Sequence, residues 1–119
     1  MRTKQSEELE RRFLDFGVRV IRLTQEHRLL LPFSVIDQVI RSSTSIGANY
    51  SEAQNASSRM DFRNKIFIAK KEAGETRYWL RIITELTDDT TTSWPLKEIQ
   101  EILLILQKIV NTLKEKSLK

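Results

Sequence analysis

The side chains best suited to acid–base or nucleophilic chemistry are scarce in this sequence. It contains no Cys and a single histidine, His27. Disulfides, thiolate catalysis and zinc–sulfur sites are therefore absent. A hydrolytic site needs a nucleophile, a positioned base and an orienting group, whereas His27 falls at the predicted end of the first helix, where a cation complements the helix dipole. We predict a capping or surface role for His27 and no enzymatic activity.

Glu72 and Glu75 are the most suggestive acidic pair. Di-iron helical bundles build their sites from Glu and Glu-x-x-His motifs. Here the residue three after Glu75 is Tyr78, and no histidine is near. We therefore expect neither a metal nor another cofactor. A carboxylate enzyme or metal site at this pair is the weakest of the hypotheses that the sequence leaves open.

A structural role for the two glutamates is the better interpretation. Both fall beside an apolar stripe, so we expect partly buried carboxylates paired with Lys65, with Arg41 or with a neighbouring subunit. Such pairs favour a defined register. The predicted polar network at helix or subunit contacts consists of Arg41, Asn49, Glu72 and Glu75.

The basic residues of the third predicted helix form a row. Relative to Phe62, which points to the core, these side chains cluster at about 60–100° around the helix and extend for about 27 Å along it. The row, called the basic ladder below, consists of Arg63, Lys70, Arg77 and Arg81. It could meet the phosphates of RNA or DNA; the alternative is an ordinary solvated helix face. The first helix adds Arg11, Arg12, Arg19 and Arg22, which are spread over more than one face.

Composition indicates how these residues are positioned. The chain has 119 residues, of which 39% are hydrophobic and 30% charged, with three Gly and two Pro. This balance is typical of one folded domain, which we place at 1–119, and the scarcity of Gly and Pro favours long helices. We predict an all-α, up-down-up-down antiparallel four-helix bundle. The predicted helices are 7–27, 34–56, 59–87 and 95–116.

Capping patterns mark the predicted helix starts. Pro95 suits the first turn of the fourth helix, after a polar connection at 88–93. Asp37 and Arg41 also have the spacing of an i,i+4 ion pair. The N-cap patterns are Ser6 for the first helix, Ser34 with Asp37 for the second, and Ser58 with Asp61 for the third.

The third and fourth predicted helices carry more apolar residues than one bundle core requires. Water-facing Trp79, Leu104 and Ile105 would form an oversized apolar patch. Burial of this patch between identical subunits is the simplest explanation, so we predict a homo-oligomer. The alternative is that the wide stripes fill a thick monomer core.

Three segments of the sequence are similar to a known family. They are LPFSV at 31–35, RSSTSIGANYSEA at 41–53 and DFRNKIFIAKKEAGETRYWL at 61–80. Together they resemble the bacterial four-helix-bundle family of 23S rRNA intervening-sequence proteins. Many relatives have Pro where Gly47 stands and a less polar residue where Tyr50 stands, so the chain resembles a different branch.

The resemblance implies a ring-like homopentamer and no catalytic residues. It also implies similarity to the accessory variability protein of diversity-generating retroelements, a basic pentamer that binds nucleic acid and a reverse transcriptase. With a formal charge of +4 and a pI near 9.6, we predict a non-enzymatic oligomer, pentameric by resemblance, whose basic surface binds RNA or DNA without strong sequence specificity. The alternative is a protein-interaction scaffold with no nucleic-acid role.

The sequence also bears on location. Its longest unbroken apolar run, 102–106, is far shorter than the roughly 20 residues that span a bilayer, and residues 1–10 show no apolar stretch of the signal-peptide type. We therefore expect a cytoplasmic protein that does not interact with membranes.

Overall fold

A computed structural model describes residues 2–118, with side chains for 2–116. The helices are α1 (Lys4–Glu26), α2 (Phe33–Gln54), α3 (Arg59–Leu86) and α4 (Asp89–Leu118). They pack as a four-helix bundle of 51 × 23 × 22 Å, and the described residues contain no strand. Met1 and Lys119, the ends of the predicted domain, lie outside the described residues.

The core lies where the predicted apolar stripes meet. Burial of these side chains removes apolar surface from water and dominates the stability of such a fold. Small polar side chains, among them Ser43 and Thr76, are buried beside this apolar core. The large side chains that are fully buried include Phe13, Phe16 and Val20 of α1, Val39 and Ile46 of α2, Ile66, Leu80 and Ile83 of α3, and Ile99, Ile102, Leu106 and Val110 of α4.

The starts of α1 and α2 differ from the predictions. Thr3, not Ser6, is the N-cap of α1: the two form a reciprocal capping box in which Thr3 Oγ1 accepts from the Ser6 amide. Pro32 is the N-cap of α2 and makes no side-chain capping bond, so the predicted Ser34 cap is wrong. Asp37 instead pairs with Arg41 at 3.0 Å on the surface of the helix. This confirms the predicted i,i+4 pair.

The start of α3 is confirmed, and the start of α4 is not. Ser58 Oγ accepts from the Asp61 amide at 3.0 Å. The fourth helix begins at Asp89 rather than at Pro95, which lies inside it. The Asp88 carboxylate accepts a bond from the Thr91 amide at 3.1 Å. This capping interaction satisfies an amide of the first turn and starts the helix earlier.

Small residues let α2 approach its neighbours closely. A Cβ atom added at Gly47 would lie 3.3 Å from the Phe13 Cβ atom, and one at Gly17 would lie 3.5 Å from a methyl group of Thr44. On the other side, buried Thr76 donates to Ser42 Oγ at 2.9 Å. Residues 41–45, which are mostly poor helix formers, are therefore held in the helix by tertiary packing, which their small side chains permit.

The apolar surplus is distributed differently from the prediction. Leu104 is 62% exposed, as expected, but Trp79 and Ile105 are half-buried and pack against the core, so their assignment as water-facing is wrong. At these two positions the structure agrees with the alternative interpretation, in which the wide stripes fill a thick monomer core. Among the described side chains, the most exposed large apolar ones are instead Leu29 (92%) and Phe33 (80%), at the turn between α1 and α2.

Candidate nucleic-acid interface

Helix α3 presents the basic ladder on the edge that adjoins α4. Because the core-facing side chains of α3 repeat at heptad-like spacing, the ladder residues fall on one side of that seam. Arg63 and Lys70 are half-buried, whereas Arg77 and Arg81 are exposed. Arg77 and Arg81 share a depression with Leu103 of α4, which identifies the neighbouring helix.

The ladder cations have no acidic partners within the described part of the chain. Every ion pair there involves other cations. Only Arg63 has a specific side-chain contact of another kind, with its guanidinium carbon 5.3 Å from the centre of the Phe67 ring. The ladder charges are therefore available to an external anion.

The ladder extends beyond the residues that the sequence indicated. Arg63 lines a cavity of about 200 Å³ together with Arg59 and Met60 of α3 and with Leu113 and Lys116 of α4. Arg59 and Lys116 were missed. Arg59 precedes Arg63 by four residues, a helical spacing that could have revealed it, whereas the approach of Lys116 depends on tertiary packing.

At the opposite end of the ladder, the surface is a shallow depression. It has a volume of about 330 Å³ and is lined by Gly74, Arg77, Tyr78 and Arg81 of α3 and by Leu103 of α4. Tyr78 is 60% exposed. Sequence reasoning used Tyr78 only to argue against a metal motif and did not connect it with the ladder.

Glu72 and Glu75 lie close enough to influence each other. Partial burial raises the pKa of Glu72, and the charge of Glu75 and a hydrogen bond with it raise this pKa further. Such a bond requires one of the two carboxyl groups to be protonated. Within the described residues, no group of three or more acidic or histidine side chains is placed to hold a metal ion.

The other members of the predicted polar network have local partners. Arg41 pairs with Asp37, and the side-chain amide of Asn49 donates to the carbonyl of Ser45 at 2.9 Å. Lys65 pairs with Glu52 at 2.8 Å, an interaction that raises the pKa of Lys65. Within one copy, neither Arg41 nor Lys65 forms an ion pair with Glu72 or Glu75, so the predicted pairing with these two cations is wrong. Pairing of the two glutamates with a neighbouring subunit stays a prediction.

The arginines of α1 are mostly engaged. Arg11 pairs with Asp15 at 3.2 Å. Arg12 donates two bonds of 2.8 Å to the half-buried Glu98 carboxylate of α4, and this interaction raises its pKa further above the ordinary value. The Arg19 guanidinium stacks 3.5 Å above the centre of the Trp94 ring. The first helix therefore offers less free positive charge than its composition indicates.

His27 has the predicted position. It is the C-cap of α1, and its Nδ1 atom lies 3.0 Å from the carbonyl of Leu23. Since a carbonyl only accepts, this nitrogen is the donor. Its other ring nitrogen lies 3.5 Å from the hydroxyl of Thr91, so the ring connects the end of α1 to the start of α4.

Most of the sequence matches the model of a known protein family. The model of that family, described as 23S rRNA-intervening sequence protein, matches residues 7–115. The chain belongs to this family. The match confirms the resemblance seen in segments 31–35, 41–53 and 61–80, and it extends over the first and fourth helices.

A solved structure agrees with this assignment. The chain is similar, at 35% identity and a TM-score of 0.76, to a protein of unknown function from the S23 ribosomal protein family of Bacteroides thetaiotaomicron VPI-5482. The alignment covers 85% of this chain and 96% of the other. No match was found among curated proteins. Family membership thus establishes the fold and brings no assigned activity.

Within the described residues, no helix combines the length and the apolar character that a membrane-crossing helix needs.

Proposed function

We propose that this family member is a non-enzymatic helical bundle that binds the backbone of RNA or DNA through the basic ladder, without strong sequence specificity. The observation that carries the proposal is the row of cations on the α3 edge without acidic partners in the described chain. Arginine binds phosphate oxygens through paired N–H groups. Sequence is read by contacts to base edges, for which phosphate-binding cations on a flat helix edge are not arranged.

The length of the ladder suits a nucleic-acid strand. At a rise of about 3.4 Å per nucleotide of duplex, a row of about 27 Å faces roughly eight nucleotides of one strand. Arg59 and Lys116 lengthen this surface at one end. Each phosphate that the ladder neutralises releases counterions, so affinity must fall as salt concentration rises.

Assembly of copies is the second part of the proposal. An apolar groove of about 330 Å³ lies between α1 and α2, lined by Leu14, Val18, Gly47 and Ala48 among others, and Leu14 is half exposed. Exposed Leu104 lies on another helix, α4, and does not line this groove. Two unlike apolar patches favour head-to-tail contacts, which close into rings when the rotation permits. The pentameric count rests on the family resemblance alone.

The proposed topology is up-down-up-down and antiparallel within one domain, in a cytoplasmic protein. Paired positions support the topology. Along α1 and α2, Gly17 approaches Thr44 while Phe13, earlier in α1, packs on Tyr50, later in α2. Along α2 and α3, Ser42 pairs with Thr76 whereas a later α2 residue, Glu52, pairs with an earlier α3 residue, Lys65.

The test is binding as a function of salt. Fluorescence anisotropy with a labelled 30-base-pair duplex, at 50–200 mM salt, is expected to give a log–log slope of about −3 to −4 per ladder engaged, from about −0.9 per neutralised phosphate. Light scattering on the same samples gives the number of copies. Affinity that does not change with salt would contradict the proposal.

A protein-interaction scaffold is the second candidate. The exposed Leu29 and Phe33, at one end of the bundle, form an apolar protrusion of the kind that anchors protein partners. A reverse transcriptase is the partner that the resemblance suggests. Pull-down with Leu29→Ser/Phe33→Ser as the control, from nuclease-treated lysate, distinguishes the candidates. A partner that is retained by the parent chain and lost by this variant would support the scaffold.

A further inference from the structure

The two ends of the basic ladder differ in the aromatic groups beside them. Near Arg63 the closest ring is Phe67, which is partly buried against the core and covered by that guanidinium. Near Arg77 and Arg81 the ring is Tyr78, which is 60% exposed and lines the same depression as both arginines. Only this second end offers an open aromatic surface to a ligand.

Gly74 leaves one part of the wall of this depression without a side chain. This residue lies on the same wall, one helical turn before Tyr78, and a Cβ atom placed there would meet no heavy atom within 4 Å. The Tyr78 ring is held in an edge-to-face contact with Trp79, with centres 5.5 Å apart and planes at 77°. A restrained ring loses little freedom when a flat ligand packs on it.

We propose that this depression binds single-stranded nucleic acid by stacking an unpaired base on Tyr78 while Arg77 and Arg81 hold neighbouring phosphates. This inference rests on the proposed function of the ladder and names its ligand class. The depression, at about 330 Å³, is within the range of roughly 300–1,000 Å³ that small-molecule sites occupy. Leu103 supplies an apolar wall for the stacked base.

The physical basis is the difference between a duplex and a single strand. Bases in a duplex are stacked on each other, so a duplex presents mainly phosphates to a flat protein surface. A single strand can turn a base outward onto an aromatic side chain, and such stacking tolerates any base because every base has a π-face. The ladder alone therefore serves both ligands, whereas Tyr78 contributes only to single strands.

The experiment compares three probes on each variant: a 12-nucleotide single strand, a duplex of the same sequence, and linear polyphosphate, which has charge but no bases. Tyr78→Ala is expected to weaken single-strand binding between about five-fold and about a hundred-fold, the range for one stacked base. Tyr78→Phe keeps the ring and is expected to match the parent. For both variants, the affinities for the duplex and for polyphosphate should stay within about two-fold of those of the parent.

Gly74→Leu provides an independent test because it fills the depression without altering Tyr78 or any charge. It is expected to weaken single-strand binding alone, with helical circular dichroism unchanged. Equal losses on all three probes, or an unchanged single-strand affinity in Tyr78→Ala, would overturn the inference. If the parent chain binds none of the probes, the proposed function itself fails, so the two failures are distinguishable.

Discussion

Helices α1 and α3 each carry a set of basic side chains, but the two sets differ in what surrounds them. Arg11 and Arg12 of α1 are paired with carboxylates, and Arg19 stacks on an indole ring. The ladder cations of α3 form no ion pair within the described residues. Arg11, Arg12 and Arg19 are therefore engaged within the protein, whereas the ladder cations are available to an external ligand.

The difference arises from what α4 supplies to each neighbour. Toward α1 it presents Glu98 and Glu101, both within reach of Arg12. Toward Arg77 and Arg81 of the ladder it presents Leu103, an apolar side chain. A count of positive residues per helix does not detect this difference; the arrangement of acidic residues on the adjacent helix does.

Reversal of charge in the ladder and in α1 should give the largest difference in affinity for nucleic acid. Lys70→Glu/Arg77→Glu and Arg11→Glu/Arg22→Glu change the net charge equally, but the first places acidic groups in the ladder. We expect the first variant to weaken duplex binding at 50 mM salt by about a hundred-fold and the second by only a few-fold. Anisotropy measures both. Equal losses would show that net charge, not the ladder, drives binding.

Removal of a single cation should lower the stability of the protein when the cation lies in α1, and change it little when the cation lies in the ladder. Arg12→Met leaves the Glu98 carboxylate, whose side chain is only 12% exposed, without its partner, and should cost about 1–3 kcal/mol of unfolding free energy. Lys70→Met removes no ion pair and should change stability by less than about 0.5 kcal/mol. Urea denaturation tests both. In an Arg12→Met/Glu98→Gln double variant, the loss should be partly restored.

The same glycine substitution should have opposite effects in the two regions. Gly74→Ala adds a methyl group in open space on α3 and should stabilise the protein by up to about 1 kcal/mol, because alanine favours helix. Gly47→Ala places its Cβ atom 3.3 Å from that of fully buried Phe13. We expect the resulting displacement to offset the helix gain, with a net loss of about 1 kcal/mol. Thermal unfolding that shows equal gains would contradict this packing argument.

Burial repeats with the helical period, so the spacing of apolar residues marks the inner face of each helix. Phe13, Val39, Ile66 and Ile102 are buried positions of this kind. Local capping was predicted less well: the early start of α4 depends on Asp88, which an argument centred on Pro95 overlooked.

Contacts between helices could not be predicted from the sequence. The pairing of Arg12 with Glu98 joins residues 86 positions apart, so no local spacing reveals it. The ladder was visible because its members share one helix face, whereas the exposed ring of Tyr78 beside it was not. Charge patterns therefore indicated the angular position of the candidate site, and the packing of α4 showed which cations have no acidic partner among the described residues.

The smallest expected effect concerns Glu72. On α3, the acidic pair Glu72 and Glu75 forms no ion pair among the described residues of one copy, just as the ladder cations form none. Burial and the nearby Glu75 raise the pKa of Glu72. Between the ordinary pKa and the raised value, the folded state binds more protons than the unfolded state, so stability falls as pH rises through this window. Above it, the ionised carboxylate carries a constant penalty.

Glu72→Gln removes that penalty. At pH 7 the variant should be more stable than the parent by a few tenths of a kcal/mol, a small value because the group is partly solvated. The difference should vanish near pH 3, where both states of the parent are protonated. Glu75→Gln, which relieves only the repulsion, should gain less. A Glu72→Gln variant that is instead less stable at pH 7, and more so at low protein concentration, would indicate that a cation of a neighbouring copy binds Glu72, as the predicted subunit contact requires.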